Sequence, residues 1–400
     1  MPHLYIAAAH KSSGKTTVSV GLTAAMKAHG SIVQPFKKGP DYIDPIWLSR
    51  AAGRPCYNLD FFTQGHDEIL RTFTGKLGAQ QIGLIEGNKG LFDGVDVKGS
   101  DSNAAMASLL GAPVILVIDT SGMTRGIAPL IRGYLGFDDN VDIRGVILNK
   151  VGGNRHETKL RQALELYTDI EVLGALGRDR TLEIPERHLG LIPANESSGP
   201  VKADDKIARL EAAISAGIDI NRVTRIANSA KLPLVDQGEI NVGSRQPGEL
   251  RIAIAQDAAF GFYYQDDLEA FEAAGATLVP FNTMRDTQLP DVDGLFLGGG
   301  FPETQLEALS ANRSLLADIH RALSDGMPAY AECGGLMYLA RNIRWRNQSA
   351  DMAGFIPADV VMAERPQGRG YMLMEETGQH PWPAASIHHE TNSTGTPVHE

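Results

Sequence analysis

A short apolar run over residues 3–9 breaks into a polar loop at 11–16 and resumes as a helical pattern over 17–29 that Gly30 closes. Strand, Gly-Lys-Thr loop, helix is an opening that commits the chain to an α/β architecture, because such a loop works at the carboxyl end of a sheet strand. Continuous apolar runs at 82–86, 113–119 and 145–149 predict further buried strands, each ending on a polar residue where parallel sheets collect ligands. Helical patterns at 103–110, 127–134 and 157–167 separate or follow them.

From 227 to 249 the periodicity dissolves into Ser, Gly, Pro and Gln, which reads as a connector. A second α/β start follows, with strands at 251–256, 277–280 and 294–297 and a helix at 265–274. The 400 residues exceed what one core usually encloses, so the expected division is a first domain at 1–226, a linker at 227–248 and a second domain at 249–400.

A net charge of −11 argues against a general nucleic-acid binder, which needs clustered Lys and Arg to neutralise phosphates. Apolar stretches are too short to span a bilayer, and the first thirty residues carry the Gly-Lys-Thr loop instead of a secretion signal, so the expectation is a cytoplasmic protein without a membrane partner. Two cysteines, Cys56 and Cys333, in unlike settings predict no disulfide. Whether the chain forms a homodimer is left open.

Gly14-Lys15-Thr16-Thr17 is the working end of a phosphate loop: backbone N–H groups for the phosphates of ATP, Lys15 for the β and γ oxygens, and Thr16 for Mg²⁺. The full pattern begins with glycine, whereas this chain has Ala9 there. Thr16, Asp41 and Glu86 are the candidate Mg²⁺ ligands, since that ion takes few carboxylates and completes its shell with phosphate and water. Asp44 and Asp93 stand beside them as contacts for metal, substrate or backbone, and the plain alternative for every one of these carboxylates is a turn cap. A switch-like ATPase that positions other proteins shares this opening, but its deviant loop has lysine four residues before Gly14, where this chain has His10.

Ala331-Glu332-Cys333-Gly334-Gly335 places a cysteine at a glycine-rich elbow between an apolar lead-in and a helical run. Upstream, Gly298-Gly299-Gly300 ends a buried strand in a second bare-backbone turn. A nucleophile on a tight turn needs neighbours without side chains, and an acyl intermediate needs backbone N–H donors, so Gly299, Gly300 and Gly334 are candidate oxyanion donors for Cys333. An isolated Cys is more often a buried structural thiol; the two glycine turns favour the nucleophile.

Together with Gln34-Pro-Phe-Lys-Lys-Gly-Pro-Asp-Tyr-Ile-Asp-Pro45, Asn58-Leu-Asp60 and the segment from Glu86 to Gly94, these motifs resemble the cobyrinate a,c-diamide synthase family. The resemblance implies a dethiobiotin-synthetase-like P-loop domain followed by a class I glutamine amidotransferase domain. It implies a ligase that uses ATP and either glutamine or ammonia to convert two acetate carboxylates of a tetrapyrrole, a and c, to amides. An acyl phosphate would form at the first domain and Cys333 would release the ammonia. Lys37, Lys38, Tyr42, Asp44, Lys89 and Asp93 are then candidate substrate contacts. Asn88-Lys89, together with Ser102-Asn103-Ala104 and Gly122-Met-Thr-Arg-Gly126, is similar to a branch that amidates sirohaem, which stands as the alternative ring. The family's catalytic base is a histidine in a His-Glu-aromatic-His segment, and the sequence stops at Val398-His399-Glu400. The expectation is a base beyond Glu400, with His399, His389 or His388 as substitutes. A catalytically dead amidotransferase-like regulator is the reading if no base exists.

Overall fold

The computed structural model describes residues 1–187, 190–196, 202–232 and 250–364. The first half is built on a seven-stranded sheet of order β3-β2-β4-β1-β5-β6-β7. Its strands are β1 (His3–Ala8), β2 (Ile32–Lys38), β3 (Tyr57–Leu59), β4 (Gln81–Glu86), β5 (Val114–Asp119), β6 (Ile143–Val151) and β7 (Glu171–Gly177). Every neighbouring pair is parallel. The crossovers are helical: α1 (Lys15–Ala28), α2 (Ile43–Ala52), α3 (His66–Lys76), α4 (Asn103–Leu110), α5 (Ile127–Leu135) and α6 (Asn154–Tyr167).

Strand periodicity sorts the core onto two faces. Leu4, Ile6 and Ala8 of β1 pack into one cluster with Val18, Leu22 and Met26 of α1, while Tyr5 and Ala7 point into the other with Phe36, Phe73 and Leu116. A parallel sheet covered on both faces needs such unbroken apolar strands, which is why the runs can be read from the sequence. After a short hairpin, β8 (Glu186–Arg187) and β9 (Gly190–Leu191), come α7 (Ala203–Gly217) and α8 (Ile220–Ala227). Helix α7 lies against α1 so closely that a Cβ on Gly21 would fall 2.5 Å from Ile214 and 3.1 Å from the Leu210 carbonyl.

The second half carries a parallel four-stranded sheet of order β12-β10-β13-β15. Its elements begin with β10 (Leu250–Ala255), β11 (Phe260–Phe262), α9 (Gln265–Ala273), β12 (Ala276–Phe281), β13 (Gly294–Leu297) and β14 (Gly299–Gly300). They continue with α10 (Leu306–Ala311), α11 (Arg313–Ser324), β15 (Ala329–Ala331) and α12 (Gly334–Leu339). A three-stranded sheet, β16 (Ala340–Trp345), β17 (Gln348–Asp351) and β18 (Ile356–Val361), follows. The α/β class expected for both halves is therefore present. Most of the expected connector, 233–249, lies outside the described residues. Among the described residues no helix is long and apolar enough to cross a membrane. Both cysteines are free, Cys56 buried and Cys333 exposed.

Candidate functional site

The Gly-Lys-Thr loop leaves β1 and enters α1 through two left-handed residues, Ser12 at φ 65° and Gly14 at φ 89°. Glycine is required at 14 for a second reason: a Cβ there would stand 2.2 Å from Asn149 Nδ2, which donates to the Ser13 carbonyl at 2.8 Å. Asn149 lies near the end of β6, and Lys150 beside it donates to the Ser12 carbonyl (3.0 Å) and to Asp119 (2.8 Å), so two strand ends hold the loop open. This turn also lets α1 begin at Lys15, two residues before the predicted start. No side chain caps the helix, which leaves first-turn N–H donors and the positive end of the helix dipole facing the loop. That is the arrangement an anionic phosphate requires. Lys15 is buried and donates to the Asn88 carbonyl at 3.0 Å. Burial, then the neighbouring Lys37 ammonium, lower its pKa to about 8.

Below the loop, β2, α2 and β4 bring three carboxylates around one ammonium. Lys37 Nζ lies 2.5 Å from Asp44, 3.2 Å from Glu86 and 3.7 Å from Asp41. Thr16 Oγ1 reaches Glu86 Oε1 at 2.7 Å and Asp44 Oδ2 at 3.2 Å. Of the three ligand candidates, Thr16 and Glu86 touch. Asp41 instead accepts the N–H groups of Ile43 and Asp44 and shapes the turn, while Asp44 takes the position beside Thr16. Two effects compete on these acids. Burial raises Glu86 to about 7 despite Lys37, and raises Asp41 to about 6 with help from Asp44. On Asp44 the same burial is outweighed by the Lys37 ammonium and its hydrogen bond, which hold the carboxyl below its ordinary value.

A divalent cation fits this corner. Glu86 Oε2 is buried without a hydrogen-bond partner, and the Thr16 hydroxyl is bound to the sister oxygen. Among the described residues no three His, Cys, Asp or Glu side chains form a self-sufficient metal cage. An ion here would draw on phosphate oxygens and water, as Mg²⁺ prefers.

The other candidates are placed as follows. Lys38 is buried and donates to the Asp101 carbonyl at 2.6 Å, with burial lowering its pKa. Asp93 accepts the Gly90 N–H at 3.1 Å, and Lys89 is exposed beside it. Tyr42 does not stand open: its ring stacks on Phe262 (5.6 Å, 6°) and Tyr264 (4.4 Å, 23°) of the second half. The sequence marks Asn103 only within Ser102-Asn103-Ala104; the structure shows its carboxamide accepting from Tyr5 and the Asn88 N–H and donating to the Gly90 carbonyl, thereby setting the loop after β4. The available signal is Ser102, the cap of α4. Asn58, which the sequence marks only as part of a motif, holds the carbonyls of Gly39 and Asp41 with its amide.

In the second half the two glycine turns interlock around the thiol. Cys333 links β15 to α12 with φ 47° and ψ −116°, a strained backbone for a residue with a side chain. A Cβ on Gly299 would be 3.4 Å from the Cys333 Cβ, and one on Gly334 would be 3.0 Å from both N and O of Gly300. Gly335 N–H donates to the Gly298 carbonyl at 3.1 Å. The expected oxyanion candidates and the nucleophile thus share one corner, with the sulfur-bearing residue exposed. His388, His389 and His399 lie outside the described residues.

Two family models match the chain, one in each half. Residues 4–192 match the CobQ/CobB/MinD/ParA nucleotide binding domain, and residues 251–393 match the CobB/CobQ-like glutamine amidotransferase domain. A cobyrinate a,c-diamide synthase from Magnetococcus marinus is 46% identical over 96% of this chain and 82% of its own length. Proteins of the same name from Methanosarcina acetivorans and Caldanaerobacter subterraneus subsp. tengcongensis are 43% and 41% identical, over 86% and 93% of this chain and 71% and 81% of theirs. With an uncapped phosphate loop at one site, a thiol between glycine turns at the other, and relatives this similar over this much of their length, the chain belongs to the cobyrinate a,c-diamide synthase family.

Proposed function

We propose that this protein is a glutamine-dependent ligase that amidates the a and c acetate carboxylates of cobyrinate at the expense of ATP. A carboxylate is a poor electrophile, so residues 1–226 would first join it to the γ-phosphoryl group of ATP. Ammonia then displaces phosphate from the acyl phosphate. Lys15 and the N–H groups at the start of α1 hold the phosphates; Lys37 neutralises Asp44 and Glu86 so that an anionic carboxylate can approach. Mg²⁺, when bound against Thr16, Glu86 and Asp44, would neutralise phosphate charge. Lys89 and Asp93 would contact the substrate, whereas Lys38 on the Asp101 carbonyl and Tyr42 against Phe262 and Tyr264 are already engaged and would shape the site instead.

Residues 249–400 would supply the ammonia. Cys333 attacks the carboxamide of glutamine, the oxyanion is met by backbone N–H groups of Gly299, Gly300 and Gly334, and a thioester remains for water to hydrolyse. The observation that carries this reading is the exposed Cys333 seated against Gly299, with Gly334 against Gly300, in a chain that also presents Lys15 and Thr16 at an uncapped helix start. A switch ATPase has no use for such a thiol. Sirohaem as the ring rests on Asn88-Lys89, Ser102-Asn103-Ala104 and the segment from Gly122 to Gly126, whereas the relatives named above all carry cobyrinate in their name, so cobyrinate is the substrate proposed. We place the reaction in the cytoplasm.

Incubation with ATP, Mg²⁺, ammonium and cobyrinate, or sirohaem in parallel, tests this by product mass. The expected result is stepwise gain of two amides on cobyrinate with ATP consumed; no ATP-dependent mass change on either ring would overturn it.

A further inference from the structure

Strand β11 pairs antiparallel with β14, Phe262 opposite Gly299 and Phe260 opposite Gly300, so its backbone fixes one edge of the glycine turn beside Cys333. The residue that follows the strand reaches the same turn through its side chain. Tyr263 Oη accepts the Gly298 N–H at 3.2 Å and donates to the Ala255 carbonyl at 2.7 Å, with the Phe296 carbonyl at 3.4 Å. One phenol thus ties the end of β10 and the end of β13 to the first residue of Gly298-Gly299-Gly300. Burial holds its pKa well above the ordinary range, so it keeps the proton that it donates. The ring packs so closely that a Cβ on Gly298 would stand 2.6 Å from Tyr263 Cε1.

Both peptide groups of Gly298 are held. The one before it gives its Leu297 carbonyl to the Glu332 N–H at 3.0 Å and its N–H to Tyr263. The one after it gives the Gly298 carbonyl to the Gly335 N–H at 3.1 Å. A peptide is planar and trans, so holding that carbonyl also sets the direction of the Gly299 N–H on the far side of the plane.

We propose, resting on the function inferred above, that Tyr263 is a positioning residue for glutamine hydrolysis: by holding the Gly298 N–H, its hydroxyl fixes the orientation in which the Gly299 and Gly300 N–H groups meet the oxyanion formed when Cys333 attacks. Such donors lower a barrier because they are aimed beforehand and need no reorganisation during the reaction. Without the hydroxyl, the Gly298 N–H and the Ala255 carbonyl lose a partner, and a turn of bare glycines relieves that cost by rotating its peptides. These bonds all go to backbone of the second half, so their loss falls on glutamine hydrolysis and spares the nucleotide half.

The test is the kinetics of full-length Tyr263→Phe, which keeps the ring and deletes the hydroxyl. Turnover of glutamine should fall about tenfold in kcat, with KM for glutamine unchanged, as expected when a bond matters only in the transition state. Alkylation by iodoacetamide joins sulfur to carbon with loss of iodide and builds no oxyanion, so Cys333, the exposed thiol, should react at the wild-type rate. Amide synthesis from ammonium should also be unchanged. Gly298→Ala, whose methyl would strike the Tyr263 ring, should give the same selective loss. An unchanged kcat in Tyr263→Phe overturns the proposal, as does a loss confined to KM or one shared by alkylation and ammonium-supported synthesis. If wild type does not hydrolyse glutamine at all, the functional reading of Cys333 fails first and this proposal falls with it.

Discussion

Lys37 Nζ and Asp44 Oδ2 lie 2.5 Å apart, with the lysine side chain 1% exposed and Glu86 a further partner at 3.2 Å. One ammonium thus compensates two buried acids that also hold Thr16. Removing a single partner from a buried charge cluster leaves the others unpaired in low dielectric, which typically costs about 3–5 kcal/mol. Lys37→Met should therefore lower unfolding free energy by about that amount in a denaturant titration. The double variant with Glu86→Gln should recover part of the loss; strictly additive losses would mean the pair is not coupled.

Glu86 also sets a pH dependence. Burial raises its carboxyl from 4.5 to about 7. The folded state therefore keeps a proton that the unfolded chain releases, so its contribution to stability is complete below 4.5 and is lost as pH rises through about 7. Thermal unfolding with chelator and no nucleotide should show this fall, and Glu86→Gln should flatten it. A steeper slope in the variant would reverse the sign assigned here.

Lys15→Ala removes the buried ammonium at the mouth of α1. Loss of one preorganised charge aimed at developing negative charge typically costs about 10²–10³-fold in kcat. Amide synthesis from ammonium should fall by about that factor while glutamine hydrolysis is spared. Equal loss of both activities would indicate a folding defect instead.

Cys333→Ala should abolish glutamine use and leave ammonium-supported synthesis intact, as measured by product mass with each nitrogen source. Synthesis from glutamine at the wild-type rate would remove Cys333 from the reaction.

Gly300→Ala tests the corner without touching the sulfur. The new methyl would meet the Ala259 carbonyl at 1.9 Å, so the β11–β14 ladder must open. Overpacking of this kind costs about 1–3 kcal/mol, and glutamine hydrolysis should drop more than stability does because Gly299 moves with its neighbour.

Much of this molecule is legible from its residues alone, and the reason differs by region. Strands β1, β4, β5 and β6 are buried on both faces, so their apolar runs announce them; β13, at Gly294–Leu297, and α4, at Asn103–Leu110, match their expected limits. Strand β2 escapes a sequence reading because Lys37 and Lys38 end it, and lysines in a strand read as surface until the carboxylates that bury them are in place. Position matters in the same way for Asp41 and Asp44: spacing nominates both, but only the turn geometry shows that one caps backbone and the other meets Thr16. The stack of Tyr42 on Tyr264 joins residues far apart in the chain, and no local pattern encodes such a meeting.

The placement of α7 on α1 has a practical consequence. Leu210, Ile214, Val223 and Ile226 seal the same apolar face from which Val18, Leu22 and Met26 project, and Gly21 admits the Leu210 backbone. An excised nucleotide half that stopped at residue 192, where the matched domain stops, would strip that lid from the helix carrying Lys15 and Thr16. Anyone trimming this enzyme for crystallisation or for separate assay of its halves should keep the chain through Ala227.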